Sequence, residues 1–495
     1  MTITIQQQTS QDSDFNKADF SLDVEDVISE IADVYLFDNL PWVVGYSGGK
    51  DSTAVLQLVW YALRRIGANK TNKPVHVIST DTLVENPVVA AWVSDSLGKV
   101  QTQAKIEGIP ITSHRLTPEI SNSYWVNLIG RGYPAPRQKF RWCTERLKIR
   151  PSNNFISNVV NKHGEAMLVL GIRKAESSAR ARVMKHHEKR RLRDKISPNG
   201  GLANSFIYSP IETWGNDDVW LFLLESENPW GHDNMDLFSM YKGATADGEC
   251  PVVVSSGTPS CGDSRFGCWV CTLVEKDKSM QAMIRNDEEK QWMTPLMQIR
   301  TKIDFRAMGQ TGDRHLRDFR RMNGKIQLFH GRPIPGPYKQ EFREELLFEV
   351  LQTQCIVRKD GPEYVRGLEL ITLPELEEIR RIWVVDKHEI EDRVPIIYEK
   401  ATSQRYPGRD LNDGMAFGQE EMQLLEKLCE SNRIQYEMVR EILSTEQRHC
   451  TMLRRGHIFK QLQQAIERGF YENEADAISR AKERDVNRIA HNDLR

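Results

Sequence analysis

The hexapeptide Ser47–Ser52 reads Ser-Gly-Gly-Lys-Asp-Ser and is the stretch best equipped for chemistry. Its adjacent glycines let the backbone approach an anion closely, its hydroxyls add donors, and Lys50 adds positive charge. A Walker A loop needs four residues between its first Gly and its Gly-Lys pair, whereas three separate Gly45 from Gly49. The hexapeptide therefore predicts a phosphate-binding loop of another type. A tight turn without a ligand is the alternative.

Four cysteines lie close together downstream, at Cys250, Cys261, Cys268 and Cys271. Their spacing is C-x10-C-x6-C-x2-C, and the glycines and prolines between them would let a loop wrap an inorganic centre. Four thiolates suit zinc or an iron–sulfur cluster, and the spacing does not separate these two. Four unconnected cysteines are the remaining interpretation.

Cys143 stands apart from this group, just before a predicted helix. Arg141, Arg146 and Lys148 are near it in sequence, and nearby positive charge lowers the pKa of a thiol and favours the nucleophilic thiolate. We expect Cys143 to carry or relay sulfur, or to support a metal cluster. A buried structural cysteine is the alternative.

Three basic stretches are candidates for anion contacts. Arg173 and Arg180 follow a predicted strand and can contact phosphate oxygens. The run 185–195 is either a solvated loop, a nucleic-acid contact or an active-site lid. The patch 314–321, with Phe319 among its arginines, suits phosphate contacts combined with stacking, or is charge on a helix surface.

Alternating strands and helices must position these residues. Strand-like runs at 42–44, 75–79, 109–114 and 167–170 alternate with helical patterns, which predicts an α/β fold with an open, mostly parallel sheet wrapped by helices. Asp81 follows the second run, at the edge where such sheets bind ligands. Beyond about residue 290 the pattern is mainly helical.

We therefore predict four regions. They are a flexible tail at 1–20, an α/β domain at 21–240, a cysteine-rich loop at 241–290 and a helical region at 291–495.

Composition narrows the class of protein. The chain has 495 residues and a formal net charge of −2, so nucleic-acid binding would need a local basic patch. No stretch of about 18 apolar residues is present, and the N-terminus lacks the apolar core of a signal peptide. We expect a cytoplasmic protein without a membrane partner, whose cysteines are free, catalytic or metal-bound.

Taken together, these motifs resemble those of the phosphoadenosine phosphosulfate (PAPS) reductase family of PP-loop ATP pyrophosphatases, which have a HUP-like fold. The matching pieces are Ser47–Ser52, Thr80-Asp81-Thr82, Arg141-Trp142-Cys143-Thr144, Gly171–Arg180, Ser209-Pro210-Ile211, Trp214 and Asp217-Asp218-Val219-Trp220. More narrowly, residues 41–60 and 79–93, the four-cysteine loop and the helical tail resemble the sulfurtransferases of bacterial DNA phosphorothioation, of the Dnd or the Ssp type.

The resemblance implies a reaction in which ATP is cleaved to AMP and pyrophosphate, a DNA phosphate oxygen is adenylylated, and sulfur replaces that oxygen. It implies ATP, Mg²⁺ and a [4Fe–4S] cluster as cofactors, with zinc as the alternative to the cluster. DNA, a cysteine desulfurase and other phosphorothioation subunits are the implied partners. A PAPS or adenylylsulfate reductase, a tRNA thiolation enzyme and a nucleic-acid-binding scaffold with a degenerate nucleotide site are the alternatives.

The resemblance also assigns roles to residues. Lys50 would stabilise the leaving pyrophosphate, Asp51 would orient the loop or a magnesium ion, and Asp81 would lie near adenosine or that ion. Lys50, Asp51, Cys143 and Arg173 would be catalytic, and Ser47, Gly48, Gly49, Lys50, Asp51, Ser52, Asp81, Arg173 and Arg180 would bind the nucleotide.

Overall fold

The computed structural model describes residues 8–188, 191, 195–245, 266–309, 312–409, 419–430, 432–449 and 456–492. The chain divides into two compact units. The first comprises Met1–Pro118 with Trp142–Gln291, and the second comprises Glu119–Arg141 with Trp292–Arg495. The four predicted regions stay predictions.

The first unit alternates helices and strands. Its elements are α1 (Gln8–Phe37), β1 (Trp42–Gly45), α2 (Lys50–Ile66), β2 (Val75–Thr80), α3 (Pro87–Glu107), β3 (Ile111–Leu116), α4 (Arg150–His163), β4 (Ala166–Val169), α5 (Ser178–Glu188), β5 (Ile196–Pro198), β6 (Ser205–Tyr208), α6 (Asn216–Glu225), α7 (Asn234–Gly243) and α8 (Lys278–Asn286). A π-helical turn, Thr144–Ile149, precedes α4.

These strands form a six-stranded sheet in the order β3-β2-β1-β4-β6-β5. All neighbouring pairs are parallel except β5 with β6, which is antiparallel. The predicted open, mostly parallel sheet is therefore confirmed. Because β1 is central, the loop that follows it opens at the carboxyl edge of the sheet.

Side chains of β1 alternate between two apolar cores. Trp42 and Val44 belong to a core that includes the buried face of α2, whereas Val43 packs with Ile156 of α4 on the other side. Such alternation is the two-residue period of a strand covered on both faces. Helices therefore wrap both faces of the sheet.

The second unit is mainly helical. Its elements are α9 (Thr294–Ile303), β7 (Leu328–Phe329), β8 (Arg332–Pro333), α10 (Gln340–Asp360), α11 (Leu373–Arg381), α12 (Arg393–Thr402), α13 (Gln419–Leu428), α14 (Arg433–His449), α15 (Ile458–Gly469) and α16 (Glu474–Asn492). The buried indoles of Trp125 and Trp383 donate to Leu370 O at 2.7 Å and to Ile129 O at 3.1 Å, which ties the segment Glu119–Arg141 into this unit.

Two helix starts differ from the prediction. The pattern of apolar residues places the start of the first helix near Val24, whereas α1 begins at Gln8. Asn216 or Asp217 is the predicted cap of α6, but the cap is Gly215, whose N–H donates to Asp218 Oδ2 at 2.7 Å. No described helix is both long and apolar enough to cross a membrane.

Candidate functional site

The loop between β1 and α2 is shaped by one glycine in a left-handed conformation. Gly48 has φ +73°, and a Cβ at this position would collide with the side chain of Val93 and crowd that of Trp92. Only glycine fits both the backbone angle and the space. The loop therefore lies directly against α3, and the backbone that follows leads into the N-terminus of α2.

Hydroxyl groups fix the turn that begins α2. Ser52 Oγ accepts a hydrogen bond from Ser47 N at 3.2 Å, lies 3.1 Å from Ser47 Oγ and donates to Gly49 O at 2.9 Å. Thr53 Oγ1 also donates to Gly49 O, at 3.0 Å. The first turn of a 17-residue helix is thereby aimed at the loop, where its N–H groups favour an anion.

Asp51 links two cations at this helix start. Lys50 Nζ lies 3.1 Å from Asp51 Oδ2, and Arg173 Nε lies 2.7 Å from Asp51 Oδ1. Burial lowers the pKa of Lys50, which the Asp51 carboxylate opposes and the Arg173 guanidinium reinforces. A bound phosphate would stabilise both cations, because Lys50 and Arg173 share a single carboxylate.

Arg173 is buried and held from two sides. Besides Asp51, its Nη1 donates to Trp214 O at 3.2 Å. The backbone passes close by at Gly171, where an added Cβ would lie 2.7 Å from Asp51 O. The chain after β4 thus packs on the first turn of α2, and this contact delivers the guanidinium to the loop.

A cavity of about 850 Å³ opens over the loop. Its walls come from the carboxyl ends of β1, β2 and β4 and from α4, and they are lined by Ser47, Gly48, Gly49, Lys50, Asp51, Ser52, Asp81, Glu85, Arg115, Lys148, Arg173 and Tyr241. A volume of this size holds a nucleotide. The structure thus brings the predicted loop residues, Asp81 and Arg173 to one pocket.

Asp81 lies at the rim of this cavity. Its Oδ2 pairs with Arg115, at 3.1 Å to Nε and 2.5 Å to Nη2, and its Oδ1 accepts from Leu83 N at 2.9 Å. Arg115 is exposed at the end of β3, directly beside β2 in the register of the sheet. A strand-end arginine beside a strand-end aspartate is a signal that sequence reasoning missed.

Tyr241 is a second contributor that the sequence patterns did not indicate. Its buried ring belongs to α7, and its Oη accepts a hydrogen bond from Lys50 N at 3.3 Å. Phe266 packs edge-on against it, with ring centroids 4.7 Å apart. The contact joins residues 191 positions apart in sequence, so no local pattern could have indicated it.

Cys268 is half-buried beside the segment that follows β2. Its Sγ lies 3.3 Å from Thr82 Oγ1 and 3.8 Å from Glu85 Oε1, and the backbones of Glu85 and Cys268 form a β-bridge. Trp269 N donates to Val84 O at 3.0 Å. The cysteine is thereby fixed against the wall of the nucleotide-sized cavity.

Lys148 connects the cavity with this cysteine. It lines the cavity, and its Nζ lies 3.5 Å from Glu85 Oε1. The negative charge of the neighbouring Cys268 thiolate raises the pKa of Lys148, as does Glu85. Burial raises the pKa of the Cys268 thiol. A thiolate at this half-buried position therefore needs positive charge, which Lys148 or a metal ion would supply.

Cys143 differs from the prediction. It caps the π-helical turn Thr144–Ile149, is half-buried, and interacts electrostatically with Cys271. The prediction of a lowered thiol pKa is wrong, because burial raises the pKa of Cys143. Lys148, which lies close in sequence, is directed to Glu85 instead.

The metal centre can be followed only in part. Cys268 and Cys271 form one turn, with Cys271 N donating to Cys268 O at 3.0 Å, but Cys250 and Cys261 lie outside the described residues. Within the described part of the chain, no three His, Cys, Asp or Glu side chains form a group that could hold a metal ion. The four-cysteine centre and its metal stay predictions. Arg180 lies in α5, and its side chain is outside the described ones.

One family model matches the part of the chain that carries the phosphate loop. Residues 41–231 match the family model described as the phosphoadenosine phosphosulfate reductase domain. An uncharacterised protein of Methanocaldococcus jannaschii is 25% identical over 252 residues, which are 51% of this chain and 40% of that protein. The chain thus spans less than half the length of this relative.

Two solved structures are similar over part of the chain. A PAPS reductase from Candida auris in a phosphate complex is 14% identical with a TM-score of 0.26, over 41% of this chain and 81% of that one. An FMN adenylyltransferase from Candida glabrata, bound to FMN and an ATP analogue, is 12% identical with a TM-score of 0.27, over 50% of this chain and 76% of that one.

Proposed function

We propose that this chain, whose residues 41–231 form a PAPS reductase-like domain, is a sulfurtransferase that uses ATP to modify DNA. It would cleave ATP to AMP and pyrophosphate, adenylylate a backbone phosphate and replace a non-bridging oxygen with sulfur. The motifs resemble those of DndC, the sulfurtransferase of bacterial DNA phosphorothioation, and we propose a cytoplasmic reaction of the same kind. The Ssp-type systems are equally compatible.

One observation carries the proposal. The cavity over the phosphate loop and the half-buried Cys268 share a wall, since Lys148 and Glu85 line the cavity and Glu85 also contacts Cys268. Adenylylation serves no purpose without a nucleophile that displaces AMP. A cysteine site beside the nucleotide pocket supports sulfur as that nucleophile.

The loop suits release of pyrophosphate. Lys50, Arg173 and the N-terminus of α2 provide positive charge where the β and γ phosphates would lie. Both oxygens of Asp51 are already paired, which supports a role in orienting the loop. Magnesium, which prefers phosphate and carboxylate oxygens, would then be held mainly by ATP, with Asp81 at the rim as the protein ligand.

The proposed reaction has three chemical steps. A non-bridging oxygen of a DNA phosphate attacks the α-phosphorus of ATP. The bond from that phosphorus to the oxygen between the α and β phosphates breaks, and pyrophosphate leaves. The terminal sulfur of a cysteine persulfide then attacks the DNA phosphorus, and AMP leaves with the former DNA oxygen. A thiol finally attacks the cysteine sulfur of the persulfide, which frees the phosphorothioate and leaves a disulfide for a thiol reductant to reopen.

The sulfur side involves the cysteine region. Cys143 or a cysteine of the 250–271 group would carry the persulfide, and a cysteine desulfurase would load it. A [4Fe–4S] cluster on Cys250, Cys261, Cys268 and Cys271, or zinc in its place, would hold sulfur or stabilise the thiolates. Other phosphorothioation subunits would present the DNA.

A sulfonucleotide reductase is the competing proposal. Such an enzyme reduces its substrate and does not need to cleave ATP, whereas the loop with Lys50 and Arg173 is suited to a leaving pyrophosphate. A reductase also does not need the helical second unit. Thiolation of tRNA would use the same ATP chemistry, so only the acceptor nucleic acid distinguishes it from the proposed reaction.

The test supplies purified full-length protein with ATP, Mg²⁺, duplex DNA, cysteine and a cysteine desulfurase. We expect AMP and pyrophosphate, and phosphorothioate-linked dinucleotides after nuclease digestion, measured by mass spectrometry. Lys50→Met should reduce AMP formation about 100-fold or more, because it removes a charge aimed at the leaving group. The matched control is Lys70→Met, since Lys70 is exposed beyond the end of α2.

A second variant separates the two steps. Lys148→Gln should keep pyrophosphate release in a single turnover but reduce AMP release and sulfur incorporation together, because AMP leaves only when sulfur attacks and Lys148 lies between the cavity and Cys268. Release of ADP and phosphate, or no turnover with DNA and sulfur donor present, would contradict the proposal. Thiolated tRNA in place of DNA would correct the acceptor.

A further inference from the structure

The second unit contains two adjoining cavities walled by arginines. The larger, about 520 Å³, has the charged lining residues Arg137, Arg306, Arg314, Arg317 and Asp313. The smaller, about 350 Å³, has the charged lining residues Arg137, Arg317 and Arg321, with no carboxylate among its described walls. Arg137 and Arg317 belong to both cavities. We call the two together the arginine pocket.

Positive charge in this pocket is only partly compensated. Arg137 Nη2 pairs with Asp313 and its guanidinium lies 4.5 Å from the centroid of the Phe305 ring, yet its buried Nε has no hydrogen-bond partner among the described residues. Arg321 Nη1 donates to a backbone carbonyl, Pro335 O, at 3.0 Å. Arg314 is exposed and its side chain contacts no acceptor in the described part of the chain. Arg137, Arg314 and Arg321 therefore bring incompletely paired guanidinium groups to the walls of the two cavities.

A structural role accounts for part of this arrangement. Arg317 donates to Gly336 O at 2.7 Å and to Pro335 O at 2.6 Å, so it fastens the loop that follows β8. Burial lowers the pKa of Arg317, the Asp313 carboxylate opposes this shift, and the nearby Arg137 and Arg321 lower the pKa further. Fastening a loop explains Arg317, but it explains neither the exposed Arg314 nor the unpartnered donor of Arg137.

An aromatic surface lies beside the guanidinium groups. Tyr133 and Phe140 line the smaller cavity with ring centroids 6.3 Å apart, and Phe140 is 44% exposed. An exposed aromatic ring next to arginines matches the way proteins hold single strands, with bases stacked on rings and phosphates on cations. The smaller cavity is large enough for one nucleotide.

We propose that the arginine pocket binds a strand of nucleic acid. Arg137, Arg314 and Arg321 contact its phosphates, and Phe140 stacks on a base. This site shares no lining residue with the ATP pocket and goes beyond the proposed function. Only the choice of DNA over RNA rests on that function, because DNA is the proposed acceptor.

The experiment measures binding of fluorescein-labelled oligonucleotides to the full-length protein by anisotropy, without ATP. Arg314→Glu should weaken binding about tenfold or more at low salt, because a phosphate contact becomes a repulsion. Phe140→Ala should weaken single-stranded binding at least about fivefold, by loss of stacking. Both side chains are exposed, so folding, checked by thermal melting, should be unaffected.

Arg366→Glu is the matched control, because Arg366 is also exposed in the second unit but lies outside the arginine pocket. It should bind like the wild type. Wild-type affinity in Arg314→Glu and Phe140→Ala overturns the proposal. Displacement by polyglutamate as effective as by unlabelled DNA also overturns it, since the pocket would then be a site for acidic peptides. Tighter binding of RNA than of DNA overturns only the choice of acceptor.

The two proposals fail separately. Lys50→Met should bind oligonucleotides like the wild type while losing AMP formation. Binding that depends on Arg314 in a protein that releases no AMP would contradict the proposed reaction and leave the arginine pocket standing. If Arg314→Glu and Phe140→Ala leave both AMP release and phosphorothioate formation unchanged, the proposed reaction stands and the arginine pocket is contradicted.

Discussion

At the scale of single residues, Asp51 determines how the phosphate loop is charged. It holds Lys50 on one oxygen and Arg173 on the other, so neither cation is neutralised by a carboxylate of its own. An arriving anion therefore meets two positive groups that are already oriented. Preorganised charge of this kind stabilises a leaving group without reorganisation during the reaction.

Arg173→Lys tests this arrangement. A lysine retains the charge but cannot contact both Asp51 Oδ1 and Trp214 O, which Arg173 reaches at 2.7 Å and 3.2 Å. We expect kcat for AMP formation to fall about 100-fold, with a much smaller change in KM for ATP. Steady-state kinetics and the midpoint of thermal unfolding give the answer. An unchanged kcat would assign Arg173 a purely structural role.

Gly48→Ala tests the shape of the loop. An alanine would take φ +73° and would collide with Val93, so the loop must move away from α3. We expect AMP formation to fall about 100-fold or more, together with a modest loss of stability. Gly108→Ala is the control, since it has φ +67° and open space around its Cβ. It pays about 1–2 kcal/mol of backbone strain and should keep activity.

Sequence reading identified the residues whose role depends on local pattern. The glycines and hydroxyls of Ser47–Ser52 are contiguous, and Asp81 and Arg173 follow strands, so their placement at one sheet edge was predictable. Tyr241 and Lys148 reach the cavity through contacts between distant segments, which local patterns do not encode. The pKa of Cys143 was predicted in the wrong direction because neighbours in sequence indicate charge but not burial.

At the scale of elements, the parallel pair β2 and β3 carries two histidines in contact. His76 Nδ1 lies 3.1 Å from His114 Nε2, and both rings pack on Phe155. Burial, followed by the charges of His114, His163 and Lys162, lowers the pKa of His76 to about 4. The sheet therefore holds His76 neutral where an unfolded chain would protonate it.

Acid should therefore destabilise this strand pair. An unfolded histidine binds a proton below about pH 6.5, whereas His76 resists until about pH 4, so the free energy of unfolding falls as pH decreases between these values. When the pH is lowered from 7 to 5, we expect the melting temperature of His76→Gln to fall less than that of the wild type. His315→Gln, at an exposed position, should follow the wild type. Equal pH dependence in all three proteins would refute the assignment.

Strands were easier to predict than the turns between them. The apolar runs at β1, β2, β3 and β4 alternate with helices, and this alternation predicted the parallel sheet. The antiparallel edge strand β5 has three residues and no distinct pattern, so it was missed. The π-helical turn at Thr144–Ile149 depends on packing that widens a helix locally, and its residues alone predict an ordinary helix.

At the scale of the whole molecule, the segment Glu119–Arg141 belongs with the second unit although it interrupts the first in sequence. Hydrogen bonds such as Trp125 Nε1 to Leu370 O, which spans 245 positions, hold it there. Composition does not change at its ends, so sequence reading assigned it to the α/β domain. The interruption is relevant to function because this segment contributes Tyr133, Arg137 and Phe140 to the arginine pocket.

DNA binding by the whole chain should weaken as the salt concentration rises. With a net charge of −2, the protein has no general attraction for a polyanion, so the salt dependence should come from local basic sites, and we assign it to the arginine pocket. Three phosphate contacts predict a slope of log K against log salt concentration of about −2 for single strands, at about −0.7 per contact. Arg314→Gln should reduce the magnitude of that slope by about 0.7. Anisotropy titrations over a series of salt concentrations measure both values, with Arg366→Gln as the control. A wild-type slope steeper than about −5 would indicate a basic surface much larger than this pocket, and an unchanged slope in Arg314→Gln would remove Arg314 from the phosphate contacts.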